Sequence, residues 1–347
     1  MTEKMYHKNF LNNKNTANYS THIHPMLIDS VAIITGFIML IWSADRFIIG
    51  AAATARNFDV PPLIIGLTIV GFGTSAPEMM VAGFASYNGS PAMAIGNALG
   101  SNITNITLVL GVAALITPLS VHSRIIKKEL PILLFATLMV LALMRDTNLG
   151  RLDGFILLSS LCLLMWWITW TSMRNLPKDA LTDEYIEELP DKMTTSHALF
   201  WLVAGLILLT ISSKILVWGA VNIAVEFGVS ELIIGLTIIA IGTSLPELAA
   251  SITGALKNEH DIAIGNVVGS NLFNTLGVLS IPALMKPGVL QEDILHRDMP
   301  IAFVLTIMLF VMAYGFRAEG RINRLEGSIL LGAFIAYQIL LFFSISS

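Results

Sequence analysis

One stretch of this chain is written twice. Residues 63–105 carry Gly73-Thr74-Ser75-Ala76-Pro77-Glu78 and then Gly96-Asn97-Ala98-Leu99-Gly100-Ser101-Asn102. Residues 232–274 carry Gly242-Thr243-Ser244-Leu245-Pro246-Glu247 and then Gly265-Asn266-Val267-Val268-Gly269-Ser270-Asn271. At a fixed offset of 169 residues, 20 of 43 positions match without a gap, and the same offset lays Gly50 on Gly219 and Pro118 on Pro287. A match reaching that far beyond the stretch itself is the duplication of a half-chain. Any fold for this sequence has to hold two copies of one unit, each placing an acid in an apolar setting.

How apolar that setting is follows from composition. Of 347 residues 55% are hydrophobic and only 13% charged, with a mean hydropathy of +0.75. A soluble domain carries about 25% charged residues, so the chain reads as an all-α polytopic membrane protein in the lipid bilayer. The net charge of −4 is spread over connections and by itself says nothing of a nucleic-acid partner; no long basic run occurs, and no such partner is expected. Cys162 is the only cysteine, so no disulfide forms within the chain.

In chain order, residues 1–26 are polar and Asn-rich, read as a mobile tail and not a signal peptide; His22 and His24 in it are not taken as metal ligands. Apolar segments of membrane-crossing length fall near 27–50, 62–86, 92–118, 126–144 and 153–173. They recur near 198–224, 231–256, 262–286, 299–316 and 325–344. Ten spans in two five-helix repeats, 27–174 and 197–347, force the copies to cross in opposite directions, as inverted repeats. An acidic linker at 175–196 joins them, read as solvated because its acids lack the spacing of a Ca²⁺ loop. With the N-terminus on one side, Lys and Arg in the connections divide seven to that side and twelve to the other, among them Arg56, Arg124, Lys257 and Arg317. The richer side is cytoplasmic by the positive-inside rule, and both termini face outward.

The duplicated stretch carries the chemistry. Pro77 and Pro246 lack an N–H and crowd the carbonyls of Gly73 and Gly242, so each helix is expected to break in mid-membrane and turn free carbonyls toward protein or a polar cavity. Thr74 and Ser75 share a face with Glu78, and Asn97, Ser101 and Asn105 recur every four residues on the next span. The second copy sets Thr243, Ser244 and Glu247 facing Asn266, Ser270 and Asn274. A charge at bilayer depth costs roughly 2.5–3.5 kcal/mol on insertion scales, so two matched acids require a compensating cation. Carboxylates, amides and hydroxyls without Cys or His suit Na⁺ and Ca²⁺ and disfavour Zn²⁺ or Cu⁺. Asn97 and Asn266, in small-residue Gly-x-x-x-Gly settings, also suit hydrogen bonds across a helix contact, and Asn102 and Asn271 lie one residue off the serine face.

Gly-Thr-Ser-x-Pro-Glu followed by Gly-Asn-x-x-Gly-Ser-Asn, present in both halves, resembles the α-repeats of the cation/calcium exchanger superfamily, nearest its prokaryotic sodium/calcium exchanger-like branch. The resemblance covers about residues 27–345. It implies a ten-helix antiporter exchanging Ca²⁺ for Na⁺ by alternating access in a bacterial inner membrane, with no cofactor and no obligate protein partner. It assigns cation ligands to Thr74, Ser75, Glu78, Ser101 and Asn105 and to Thr243, Ser244, Glu247, Ser270 and Asn274, with main-chain oxygens from Gly71 and Ala240. It further implies that the first and sixth spans, which hold Asp45, Arg46 and Lys214, slide against the other eight. One departure stands out: several sodium/calcium exchangers have Asp where this chain has Asn274. Two acids give a site charge of at most −2, which leaves Na⁺ or H⁺ open as the counter-ion. A passive channel fits inverted repeats with mid-membrane acids poorly. An intramembrane hydrolase lacks a His-Glu-x-x-His motif, so the chain is not expected to be an enzyme.

Overall fold

A computed structural model describes residues 19–58, 60, 62–121, 126–174, 193–227, 240–314 and 320–346. Residues 175–192 of the linker and the first part of the seventh predicted span, 231–239, lie outside them. The first half runs through α1 (Tyr19–Asn57), α2 (62–74), α3 (Ala76–Tyr87), α4 (Pro91–Ile116), α5 (Ile126–Leu143) and α6 (Arg151–Arg174). The second runs through α7 (Thr195–Glu226), α8 (Ala240–Thr243), α9 (Leu245–Leu256), α10 (His260–Met285), α11 (Met299–Tyr314) and α12 (Arg324–Ser346). Among the described residues seven helices are long and apolar enough to cross a membrane, lying within α1, α4, α6, α7, α10, α12 and the segment Ile294–Ala313. The first helix begins at Tyr19, inside the stretch read as tail.

Four short strands among the described residues qualify the all-helical expectation. β1 (Leu119–Val121) pairs antiparallel with β4 (Gly320–Ile322), and β2 (Asn148–Leu149) pairs antiparallel with β3 (Gly288–Val289). Each ribbon joins a connection of one half to a connection of the other. Two or three residues of extended chain sit between helix ends in both, too short for periodicity to reveal.

α1 and α7 pack along each other with glycine against backbone. A Cβ on Gly36 would stand 2.8 Å from the Leu216 nitrogen, and one on Gly205 would stand 2.7 Å from the Phe47 Cα. Gly50 abuts Leu202, and a Cβ on Gly219 would lie 2.7 Å from the Asp29 carbonyl oxygen. Positions rise along α1 as they fall along α7, so the two helices run antiparallel. Gly36 and Gly205, like Phe47 and Leu216, are 169 apart, the repeat offset. Small residues let backbones approach where lipid provides no hydrophobic drive between helices. Asn222 Nδ2 also donates to Asp29 Oδ1 at 2.8 Å within this pair. The pair rests on its own apolar cluster (Phe47, Ile48, Leu209, Val70, Ile262), while a larger cluster from both halves, centred on α4 and α10, fills the rest.

Candidate cation site

Both proline-containing helices break where the sequence places the prolines. α2 ends at Thr74 and α3 starts at Ala76, with Ser75 between them at φ −81°, ψ −2°. α8 ends at Thr243 and α9 starts at Leu245, with Ser244 at φ −90°, ψ 4°. Pro77 and Pro246 occupy the first turn of the following helix, where a missing N–H costs nothing. The breaks leave Glu78 and Glu247 in the first turns of α3 and α9, a placement the helix dipole favours for an anion.

A second irregularity was not visible in the motif. α4 widens into a π-turn over Asn105–Val109 and α10 into one over Phe273–Val278. Asn105 and Asn274, matched at the repeat offset, both sit in these turns. A π-turn inserts an extra residue and shifts the hydrogen-bond register, a device common at functional sites.

The expected site residues gather at the crossing of these elements. Thr74, Ser75, Glu78, Ser101 and Asn105 are buried, as are Ser244, Glu247, Ser270 and Asn274, and both acids are wholly inaccessible at 0% exposure. Gly71 is buried beside Gly269 and Ser270, Thr243 is half-buried, and Ala240 opens α8. Both carboxylate oxygens of Glu78 and of Glu247 find no hydrogen-bond partner among the described residues. The same holds for the Ser75 and Ser244 hydroxyls, Asn105 Oδ1 and both amide atoms of Asn274. The two acids lie close enough to act on each other's charge. Buried polar atoms are paired in the great majority of cases, and this many unpaired oxygens around two acids make a nest whose donor chemistry suits a hard cation. Among the described residues no group of three or more His, Cys, Asp or Glu is placed to hold a metal.

The sequence set each broken helix against the next span of its own copy. The structure keeps that facing in the second copy, where Asn266 Nδ2 donates to the Glu247 carbonyl at 3.3 Å, and adds a crossing between the copies. Thr74 Oγ1 lies 3.0 Å from Asn266 Oδ1 and 3.0 Å from Ser270 Oγ, both in the second half. Asn105 Nδ2 donates to Asn271 Oδ1 at 3.2 Å, and Asn102 Nδ2 donates to Thr275 Oγ1 at 2.8 Å, tying α4 to α10. A fixed-offset comparison finds equivalent positions and says nothing about which of them touch, so the crossing was illegible. Ser251 was missed too. It accepts from Asn266 Nδ2 at 3.0 Å, but its counterpart Ala82 does not match and the repeat hid it.

Polar residues flank the nest on α1, α7 and α9. Lys257 Nζ pairs with Asp45 Oδ1 at 2.7 Å, linking the end of α9 to α1. Arg46 lies over Trp42 and Trp201, 5.9 and 5.5 Å from the ring centroids, and Ser213 Oγ of α7 donates to the Gly242 carbonyl at 2.8 Å. Lys214 is exposed on α7. In the short turn before α10, burial with Asp261 beside it pushes the Glu259 carboxyl from 4.5 up to about 7, against a smaller opposing pull from Lys257.

Comparison with known proteins agrees with this architecture. The family model described as sodium/calcium exchanger protein matches residues 29–170 and 197–343. The chain is 49% identical over 319 residues to a protein named putative antiporter CaxA of Alkalimonas amylolytica, covering 92% of this chain and 100% of that one. It is 39% identical to the inner membrane protein YrbG of Escherichia coli, over 91% of this chain and 98% of that one. Among solved structures it resembles the sodium-calcium exchanger NCX_Mj, soaked with Na⁺ and Sr²⁺, at a TM-score of 0.77 and 29% identity, covering 90% of this chain and 97% of that one. A duplicated half-chain, two helices broken beside buried acids and a family match running through both halves lead to one assignment: this integral, multi-pass membrane protein belongs to the sodium/calcium exchanger family.

Proposed function

We propose that the protein exchanges Ca²⁺ for Na⁺ by alternating access, with Glu78 and Glu247 as the charged ligands that both ions compete for. The observation that carries this reading is the pair of fully buried carboxylates, four oxygens in all, with no protein partner among the described residues. Leaving such charges bare in a low-dielectric interior costs several kcal/mol each, so the ionised pair is stable only with a cation beside it. One Ca²⁺ or two Na⁺ neutralises the pair, and competition for it makes exchange obligatory. Thr74, Ser75, Ser101, Asn105, Thr243, Ser244, Ser270 and Asn274, with the main-chain oxygens of Gly71 and Ala240, supply neutral ligands.

Ten spans in two inverted repeats fit the geometry. Helices α1 and α7, equivalent by the repeat offset, run antiparallel, as inversion requires. Connections assigned to one side of the membrane by span counting are the ones that pair in each ribbon. Antiparallel α1 and α7, packed on their own cluster, are the pair that slides to open the site to either side. The richer Lys and Arg side faces the cytoplasm, the termini face outward, and the inner membrane named for YrbG is the expected location.

A Ca²⁺/H⁺ exchange is the second reading, favoured by Asn274. Only two acids line the site, and a buried Glu that finds no protein donor is able to bind a proton in place of Na⁺. Radiolabelled Ca²⁺ flux into reconstituted vesicles under opposed Na⁺ and pH gradients, with the potential clamped, tests both. Flux driven by Na⁺ at constant pH supports the first reading, and flux driven by pH without Na⁺ supports the second. Ohmic Ca²⁺ current without counter-ion dependence defeats both.

A further inference from the structure

The two halves of the nest differ at one hydroxyl. Asn266 is fully buried, and its Nδ2 lies 3.3 Å from the Glu247 carbonyl oxygen and 3.0 Å from Ser251 Oγ. A backbone carbonyl only accepts, so the amide nitrogen must face Glu247 and Ser251, which turns Oδ1 toward Thr74. Oδ1 also only accepts, so the Thr74 hydroxyl spends its single proton on Asn266 at 3.0 Å in preference to the Gly71 carbonyl at 3.4 Å. The Ser270 hydroxyl, 3.0 Å from Thr74 Oγ1, is left to donate to that oxygen or to the Gly71 carbonyl at 3.4 Å. At the far end Ser251 Oγ donates to the Ala263 carbonyl at 3.3 Å. Protons therefore run one way along Ser270, Thr74, Asn266 and Ser251, ending on a helix carbonyl.

This direction matters for Glu247. Thr74 and Ser270 stand at the edge of hydrogen-bonding reach of its carboxylate, whose two oxygens have no partner at full hydrogen-bond geometry among the described residues. In the first half the position of Ser251 is Ala82, and Nδ2 of Asn97, the counterpart of Asn266, is buried with no partner among the described residues. Resting on the exchange reading above, we infer that Ser251 is a positioning residue of the cation site. Through Asn266 it holds the hydroxyl protons of Thr74 and Ser270 away from Glu247, so that the carboxylate is kept for a cation and both hydroxyls offer that cation lone pairs.

Without the Ser251 hydroxyl, Asn266 Nδ2 keeps only its 3.3 Å bond to the Glu247 carbonyl, Thr74 is held less firmly, and its proton competes with the ion for Glu247. The penalty falls harder on Ca²⁺ than on Na⁺, because the attraction to the carboxylate scales with ion charge. Ser251→Ala and the near-isosteric Ser251→Cys, whose thiol is a weak acceptor, test this in the full chain. Equilibrium binding of radiolabelled Ca²⁺ in detergent is measured beside flux in vesicles. Both variants are expected to raise the half-saturating Ca²⁺ concentration about tenfold in both assays, the factor for one lost buried hydrogen bond. Half-saturation by Na⁺ is expected to move less than about threefold and maximal flux less than about twofold, as the smaller charge and an intact transport path require. If Ser251→Ala does not fold, Ser251→Cys carries the test. Unchanged Ca²⁺ half-saturation against a normally binding wild type overturns the inference, and so does a fall in maximal flux alone. Wild-type protein that binds no Ca²⁺ overturns the exchange reading itself, and the inference with it.

Discussion

Gly36 of α1 lies against the backbone of Leu216 of α7, where an added Cβ would stand 2.8 Å from the Leu216 nitrogen. The relation is repeated at the offset of 169 between Gly205 and Phe47, so the long helices meet through two equivalent contacts. Neither neighbour is a flexible side-chain tip, so neither yields without moving a helix.

Gly36→Ala and Gly205→Ala are therefore each expected to destabilise the protein by about 1–3 kcal/mol, the usual cost of overpacking. Gly83→Ala, in α3 with nothing within 4 Å of the added Cβ, is the control and should be neutral or stabilising by up to about 1 kcal/mol. Thermal melting in detergent separates the two classes. Equal melting temperatures in all three would mean that α1 and α7 do not pack this closely.

Glu78→Gln or Glu247→Gln removes one of two charges from the nest while keeping its shape. Uncovering a buried charge costs upward of about 3 kcal/mol, so Ca²⁺ flux should fall at least a hundredfold in either variant. Vesicle uptake checks it, and near-normal flux in both would refute the assignment of these acids to the ions.

Much of this site could be read from the sequence because duplication singles out residues held for one purpose twice. Glu78 and Glu247, the prolines and the Asn105 and Asn274 positions all emerged that way, and the helix breaks followed from proline chemistry alone. What stayed hidden were features that depend on three-dimensional crossing or on asymmetry. Thr74 reaches Asn266 and Ser270 across 192 and 196 residues, a partnership no local spacing encodes. The π-turns over Asn105–Val109 and Phe273–Val278 follow no local spacing that marks them in the sequence. The ribbons were missed for their shortness.

Asn274→Asp adds a third acid where both amide atoms lack a partner among the described residues. With two acids, exchange of one Ca²⁺ for two Na⁺ moves no net charge, so wild-type flux should be indifferent to a clamped potential. The variant should favour a third Na⁺ and acquire voltage dependence. Flux measured at two clamped potentials decides this, and a voltage-dependent wild type would contradict the charge balance.

Glu259 gives a pH prediction. Its carboxyl is raised to about 7 by burial and by Asp261, so the folded protein retains a proton that the unfolded chain releases above about pH 4.5. The stabilisation is complete at low pH and is lost as pH rises through about 7. Glu259→Gln, which cannot ionise, should melt higher than wild type at pH near 8 and much the same at pH near 5. A constant difference at all pH values would assign the effect to packing.

The strand ribbons have a consequence for what is rigid. β1–β4 and β2–β3 each tie a connection of one half to a connection of the other, outside α1 and α7. The remainder is a frame laced at two places, against which α1 and α7 pack through their glycine contacts and their own apolar cluster. Lacing of this kind makes each half a scaffold for its twin, since neither copy owns both strands of either ribbon.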